Sequence, residues 1–444
     1  MNAPTTATPA PRVRLGRSYY KLFSASIISN LGDGVGLIAY PWLASALTRN
    51  PLLIALVPMA GRLPWLVFTL PAGVITDRVD RRRIMIQMDV CRFVLAGIVA
   101  LAVLADQSSL PGPDELSSVA GTQWVLYATI VLATLLLGMA EVLRDNSAQT
   151  IMPAIVAPDG LEKANGRLWA GEAVANTFAG PPLGSLLLAV SFALPFVLDS
   201  FSFLIAALLV AMIPGTFRAN RPEGIEQAHW RTELADGVRW LWRHPLLRSM
   251  AIILGVMNAA MMASTATLVL FAQEVLGVGP FVFTVLGMGG AIGGILGGTF
   301  ASTLSKRLGS GTCLAITLGG SAVIGFGIAV ANWWVIVFVF FTVYALIGIL
   351  WNVITVSLRQ TIIPAHLLGR VNSVYRFFAW GMMPIGAALG GLIVIVVDTF
   401  ASREVALRAT WFVNGAIHVV LFAVGARTLT TAKIEAARAA GAQE

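Results

Sequence analysis

Twelve apolar stretches, each about the roughly 20 residues needed to cross a hydrocarbon layer, follow one another along this chain of 444 residues. They cover 21–48, 51–76, 84–105, 123–143, 166–190, 192–213, 249–275, 279–303, 312–331, 333–354, 376–398 and 408–428. Hydrophobic residues make up 57% of the chain and charged residues 12%, a balance outside the range of water-soluble globules. In lipid each backbone polar group has to bond within its own segment, so the stretches are expected to be helices. The expected class is an all-α integral membrane protein, and an even span count puts both termini on one side.

Lys and Arg accumulate in cytoplasmic loops. Of the thirty in this chain, twenty-five fall on the side of the termini, and Arg62 and Arg92 lie within spans. Only Arg49, Arg403 and Arg408 fall on the opposite side. Both termini are therefore expected in the cytoplasm and the spans in the cell's inner (plasma) membrane. The net charge of +8 is spread over many inner segments, so its expected partner is the lipid bilayer and not nucleic acid. Cys91 and Cys313 sit on separate spans and the four His lack ligand spacing, so no disulfide, metal or cofactor is expected.

The chain repeats itself. "QTIMPAIV" from Gln149 returns as "QTIIPAHL" from Gln360, each after the fourth span of its half and each preceded by an arginine, Arg144 or Arg359. Two pseudo-symmetric six-helix bundles explain this, at 21–213 and 249–428. A tail (1–20), a basic linker (214–248) and a second tail (429–444) complete the chain, and the linker's "RTELADGVRWLWRHPLLRS" suits an amphipathic helix on the inner surface.

Between the second and third spans lies Gly73-Val-Ile-Thr-Asp77-Arg78-Val-Asp-Arg81-Arg82-Arg. This loop resembles the GxxxDRxGRR signature of the major facilitator superfamily, with Asp80 in place of the second glycine. Span number, halves and linker extend the resemblance over about 20 to 428, and "RHPLLR" and the sixth span from Pro195 are similar to the branch with macrolide efflux proteins and the enterobactin exporter. The resemblance implies the major facilitator fold and a cytoplasmic gate. In it Asp77 meets the positive N-terminal dipole of the eleventh span, Arg81 and Arg82 come within reach of Glu141 or Asp145, and the latch holds the outward-facing state closed on the cytoplasmic side. Gly180-Pro181-Pro182-Leu183-Gly184 resembles, in part, the fifth-span motif of the family's exporters, which favours export; as a Pro-broken, close-packing helix it is compatible with either direction.

The run Gly287–Gly298 is spaced by fours, which bares a helical face for a neighbour; with no Lys-Ser or Lys-Thr after it, it is not a phosphate loop. No nucleophile, base and metal ligands gather at one level, so an enzyme is not expected.

Ionisable residues within spans are costly and usually functional. Asp33 and Arg62 reach similar depths on the first two spans, with Asn30 one turn from Asp33, and their pair serves either packing or proton coupling. Asp89, Arg92, Glu141, Arg144, Glu172 and Asn176 lie in the inner third, as a gate network or part of a substrate site. The second half offers Met257, Asn258, Met261, Met262, Tyr344, Trp351, Asn352, Phe377, Phe378, Trp380, Met382 and Met383 as cavity residues, soft and aromatic surfaces that suit bulky apolar ligands. Asp199 is left without an assigned role. The expected function is a monomeric secondary transporter that exports a hydrophobic small molecule, drug-, macrolide- or siderophore-like, in exchange for protons by alternating access. An importer or lipid mover of the same fold, or a non-transporting sensor or scaffold, remains open.

Overall fold

The computed structural model describes residues 15–112, 119–218, 230–364 and 367–441. The first half comprises α1 (Arg17–Leu47), α2 (Pro51–Val67), α3 (Thr69–Arg78), α4 (Arg81–Ala105), α5 (Trp124–Ile155), α6 (Leu161–Ala173), α7 (Gly180–Val190) and α8 (Leu194–Ala211). After α9 (Trp230–Arg243) come α10 (Pro245–Thr265), α11 (Leu268–Leu270), α12 (Pro280–Leu308), α13 (Ser310–Ala329), α14 (Trp334–Ile362), α15 (Leu368–Asp398), α16 (Arg403–Thr428) and α17 (Thr431–Gly441).

Among the described residues, eleven helices are long and apolar enough to cross a membrane. The second expected span is the twelfth and is not continuous: it breaks at Phe68 into α2 and α3, four residues after Pro64 inside the helix. The fifth span is also jointed, with a π-helical turn over Val174–Ala179 between α6 and α7. A prolyl ring at Pro181 removes a backbone donor, and the widened turn absorbs the mismatch.

Corresponding helices of the two halves pack alike: α1 on α7 as α10 on α15, α4 on α8 as α13 on α16, α2 on α5 as α12 on α14. Each half has its own buried core near the basic end, around Leu22, Met85 and Ile151 in the first and Leu314, Trp351 and Leu358 in the second. A further core near the opposite end draws on both halves, including Trp42 and Phe271.

The halves meet along α2 with α15 and α7 with α12. The basic-end pieces α3 and α6 pack chiefly within their own half. The two bundles therefore close at the end away from the arginines and part toward the basic end.

Alternating faces of α12 show what the glycine run does. Gly289, Gly293 and Gly297 lie against α14, and a Cβ on Gly293 would collide with the Thr342 carbonyl. Gly290, Gly294 and Gly298, one residue further along, face nothing within 4 Å. A Gly293→Val variant is expected to lose about 1–3 kcal/mol of stability through overpacking, whereas Gly294→Val should lie within about 0.5 kcal/mol of the parent. Unfolding temperatures in detergent, taken side by side, check this; equal losses would contradict the packing.

The linker helix α9 seats Gly237 against the Arg370 carbonyl of α15, and Trp240 stacks on His244, 5.5 Å between ring centroids. His244 caps α10 by accepting from the Leu247 amide, and burial holds its imidazole below its ordinary value. Trp242 stays exposed beside Phe378.

Candidate functional site: a charged cavity between the halves

Between the bundles lies a cavity of about 410 Å³. Its polar wall belongs to the first half: Asp33 and Tyr40 of α1, Arg62 of α2, Arg92 of α4, Glu141 of α5, Asn176 of the π-helical turn and Asp199 of α8. The second half contributes Met262 and Met383. A bulky ligand would meet charge on one side and polarizable thioethers on the other.

Arg92 organises the polar side. Its guanidinium, 2% exposed, forms an ion pair with Asp33, donates to Ser29 Oγ at 3.0 Å and lies 3.7 Å from Asp89. The same cation sits 3.8 Å above the ring of Phe203. Asp89, fully buried, also accepts from Arg144 Nε at 3.2 Å, and Arg144 is 3.5 Å from Asp145. Helix α1 brings Ser26, Ser29 and Asp33 onto one face by their spacing, and α4 brings Asp89 and Arg92. Buried guanidinium groups in this ladder are matched by carboxylates, as removal of either partner would strand a charge.

Asp33 thus takes Arg92 as its partner and not Arg62. Arg62 is exposed to the cavity and, with Glu141, forms no ion pair among the described residues. Pairing by depth along the first two spans overlooked the third, whose Arg92 comes through the bundle interior. Glu172 lies beside Ser26 and Arg144, at the basic edge of the same cluster.

The gate contacts of the signature loop are expected of the state closed on the cytoplasmic side; with the basic end parted, its arginines bind backbone carbonyls of their own half. Arg81 donates to the Thr150 carbonyl at 2.9 Å, and Arg82 binds the carbonyls of Val210, Ala211 and Gly215. Both arginines therefore tie α4 to the exposed ends of α5 and α8, and neither reaches Glu141 or Asp145. Asp80, which replaces the family glycine, caps α4 by accepting from Arg83 N at 3.0 Å and also accepts from Phe217 N at 2.5 Å. Arg78 is exposed; the side-chain placements expected of Gly73 and Asp77 lie outside the described residues.

The fifth-span glycines are contact points. Gly180 lies against the backbone of Gly34 and Leu31, and Gly184 against Val35, so α7 and α1 touch backbone to backbone. Thr284 of α12 donates to the Pro181 carbonyl at 3.4 Å across the halves.

Several expected cavity residues have other positions. Trp351 is 1% exposed in the core of the second bundle, because that face of α14 packs inward. Asn258 donates to the Ala379 carbonyl at 2.7 Å and fastens α10 to α15; Asn30 and Asn352 bond to their own helices. Met261 and Tyr344 pack against the core away from the basic end, while Met262, also expected there, lines the cavity. Phe377 and Trp380 are exposed, with Trp380 5.8 Å from Trp65 of α2. Met383 lines the cavity as expected, and Tyr40 and Phe203 enter its wall unforeseen; a tyrosine within an apolar run seven residues after Asp33 was the available signal for the first.

At the opposite end a clamp joins the halves. Glu274, in the π-helical turn Phe271–Val275, pairs with Arg49 and accepts from Arg403 Nε at 3.0 Å. Arg49 also donates to Gln273 Oε1 at 2.7 Å, Gln273 to Ser45 Oγ at 2.9 Å, and Arg403 to the Arg49 carbonyl at 2.8 Å. Arg408 binds the carbonyls of Ala329 and Ala331 within the second half. The three arginines on this side are all engaged structurally.

Paired six-helix bundles around a charged cavity define a secondary-transporter architecture. The chain belongs to the transmembrane secretion effector family of the major facilitator superfamily, whose model matches residues 16–425. It is 28% identical to the multidrug efflux pump Tap of Mycolicibacterium fortuitum, over 83% of this chain and 87% of that protein. It is 24% identical to the enterobactin exporter EntS of Shigella boydii serotype 4, over 84% and 85%. Among solved structures, a bacterial homologue of the human lysosomal transporter Spinster, inward-facing and unoccupied, superposes with a TM-score of 0.68 at 13% identity, covering 93% of this chain and 97% of that one. The protein is a many-span membrane transporter and not an enzyme.

Proposed function

We propose that this protein exports a hydrophobic small molecule across the cell membrane by alternating access, in exchange for protons, and that the structure represents its inward-facing state. The observation that carries the reading is the cavity of about 410 Å³, closed at the clamped end, where carboxylates of one bundle face methionines of the other. With both termini cytoplasmic, the orientation that the arginine distribution supports, the parted basic end opens inward. Related efflux proteins for several drugs and for enterobactin support the outward direction. A second, apolar groove of about 690 Å³ between α1 and α6, lined by Tyr20, Phe23, Ile27 and Val174, supports a hydrophobic cargo.

Asp33 is the proposed coupling group, since protonation would release Arg92 from it and alter the charge that a ligand meets. Everted membrane vesicles carrying the protein, energised with an acid interior, should accumulate labelled ethidium or erythromycin. Asp33→Asn is expected to cut gradient-driven accumulation at least about tenfold while downhill exchange persists. Uphill accumulation at the parental rate in Asp33→Asn would remove Asp33 from coupling, and none by the parent would count against export of these compounds.

A further inference from the structure

Asp199 presents a separate feature of the cavity. It is 3% exposed on α8, and its Oδ1 has no hydrogen-bond partner among the described residues. Tyr40, which lines the same cavity, likewise has a buried hydroxyl without a partner; its ring packs edge-on to Phe196, one turn from Asp199, at 5.0 Å between centroids. Helix α1 covers the carboxyl closely: a Cβ on Gly32 would lie 2.5 Å from Asp199 Oδ1.

The charged surroundings can be stated element by element. Helix α1 contributes Asp33 and Tyr40, and α4 contributes Asp89 and Arg92; α7, which also packs on α8, carries no titratable side chain. Across the cavity stand Arg62 of α2 and Glu141 of α5. Arg92 is already committed to Asp33 and Asp89, and no ion pair reaches Asp199 among the described residues. A buried carboxylate with an unsatisfied oxygen is strongly disfavoured, whereas a carboxylic acid in the same place is neutral. The wall of the cavity gives that acid a route to water.

We propose that Asp199 is a second proton-carrying site of this transporter: it holds a proton while the cavity is empty and releases it to cavity water when a cationic group occupies the space beside Tyr40. The step breaks the carboxyl O–H bond, the proton passes to water, and the ligand's positive charge replaces it beside the carboxylate. The inference rests on the proton-coupled reading above and assigns to it a residue outside the Asp33–Arg92 pair. It also favours hydrophobic cations among the cargoes.

Infrared difference spectroscopy on the full-length protein in lipid nanodiscs tests the site without transport. The parent should show a protonated-carboxyl carbonyl band that shifts in D2O and diminishes when ethidium is added. Asp199→Asn should remove it, and Glu404→Gln, on the surface, should leave it. Asp199→Glu, with the band moved and not lost, covers an asparagine variant that fails to fold. Persistence of the band in a folded Asp199→Asn protein overturns the proposal whatever the flux. Vesicle accumulation of ethidium is measured in parallel, with a loss of about tenfold or more expected in Asp199→Asn. Absence of accumulation by the parent overturns proton-coupled export of ethidium, and the band still decides the site.

Discussion

Replacing Arg92 with methionine is expected to destabilise the folded protein by about 3–5 kcal/mol, the range for removal of one partner from a buried ion pair. The guanidinium is 2% exposed and holds Asp33, Asp89 and Ser29 while lying on Phe203. Methionine would fill much of the volume but leave Asp33 without its cation. Asp89 retains Arg144, so the double variant Arg92→Met with Asp33→Asn should recover part of the loss. Thermal unfolding in one detergent reads both. A single variant as stable as the parent would show that the ladder contributes little, and lack of recovery in the double variant would place the cost on Asp89 or on Phe203.

Removing the clamp should act on the conformational equilibrium. Glu274 accepts from Arg49 of the first half and Arg403 of the second, with all three side chains 16–30% exposed. Isolated pairs this exposed are weak, but a carboxylate shared by two arginines across a closing interface is made in one state and broken in the other. Glu274→Gln is expected to shift the ratio of inward- to outward-facing molecules about tenfold toward outward, or about 1.4 kcal/mol. Spin labels on cysteines at Gln107 and Trp333, with Cys91 and Cys313 replaced by serine, would report it as a longer distance population. Glu404→Gln, which loosens only the pair with Arg408 inside the second half, should leave the distribution unchanged. An unaltered distribution in Glu274→Gln would remove the clamp from gating.

How far each feature was legible from sequence follows from the range of the interaction that makes it. Helical spans depend on local hydropathy, so most were readable to within a few residues, including the linker helix. The break at Phe68 was harder, since proline marks a possible kink without saying where the chain yields. Arg81 and Arg82 depend on the conformational state: the carboxylate partners suggested by the motif belong to a bundle closed on the cytoplasmic side, and with that end parted the arginines bind carbonyl groups at the ends of α5 and α8. Arg49 and Arg403 looked like exceptions to the charge rule, and their value lies in Glu274, far away in sequence.

The sequence by itself determined the membrane class, the helical content, the doubled half and the residues too polar to leave in lipid without a purpose. Those properties are set by the solvent: a bilayer penalises every unpaired polar group and every exposed charge along the chain. Only the tertiary structure decided that Arg92, and not Arg62, holds Asp33, that Trp351 is core and that Asp199 and Tyr40 are left unpaired beside the cavity. Partner choice depends on helix rotation and crossing, and a helix that turns by one residue's angle exchanges one neighbour for another without altering the hydropathy that placed it in the membrane.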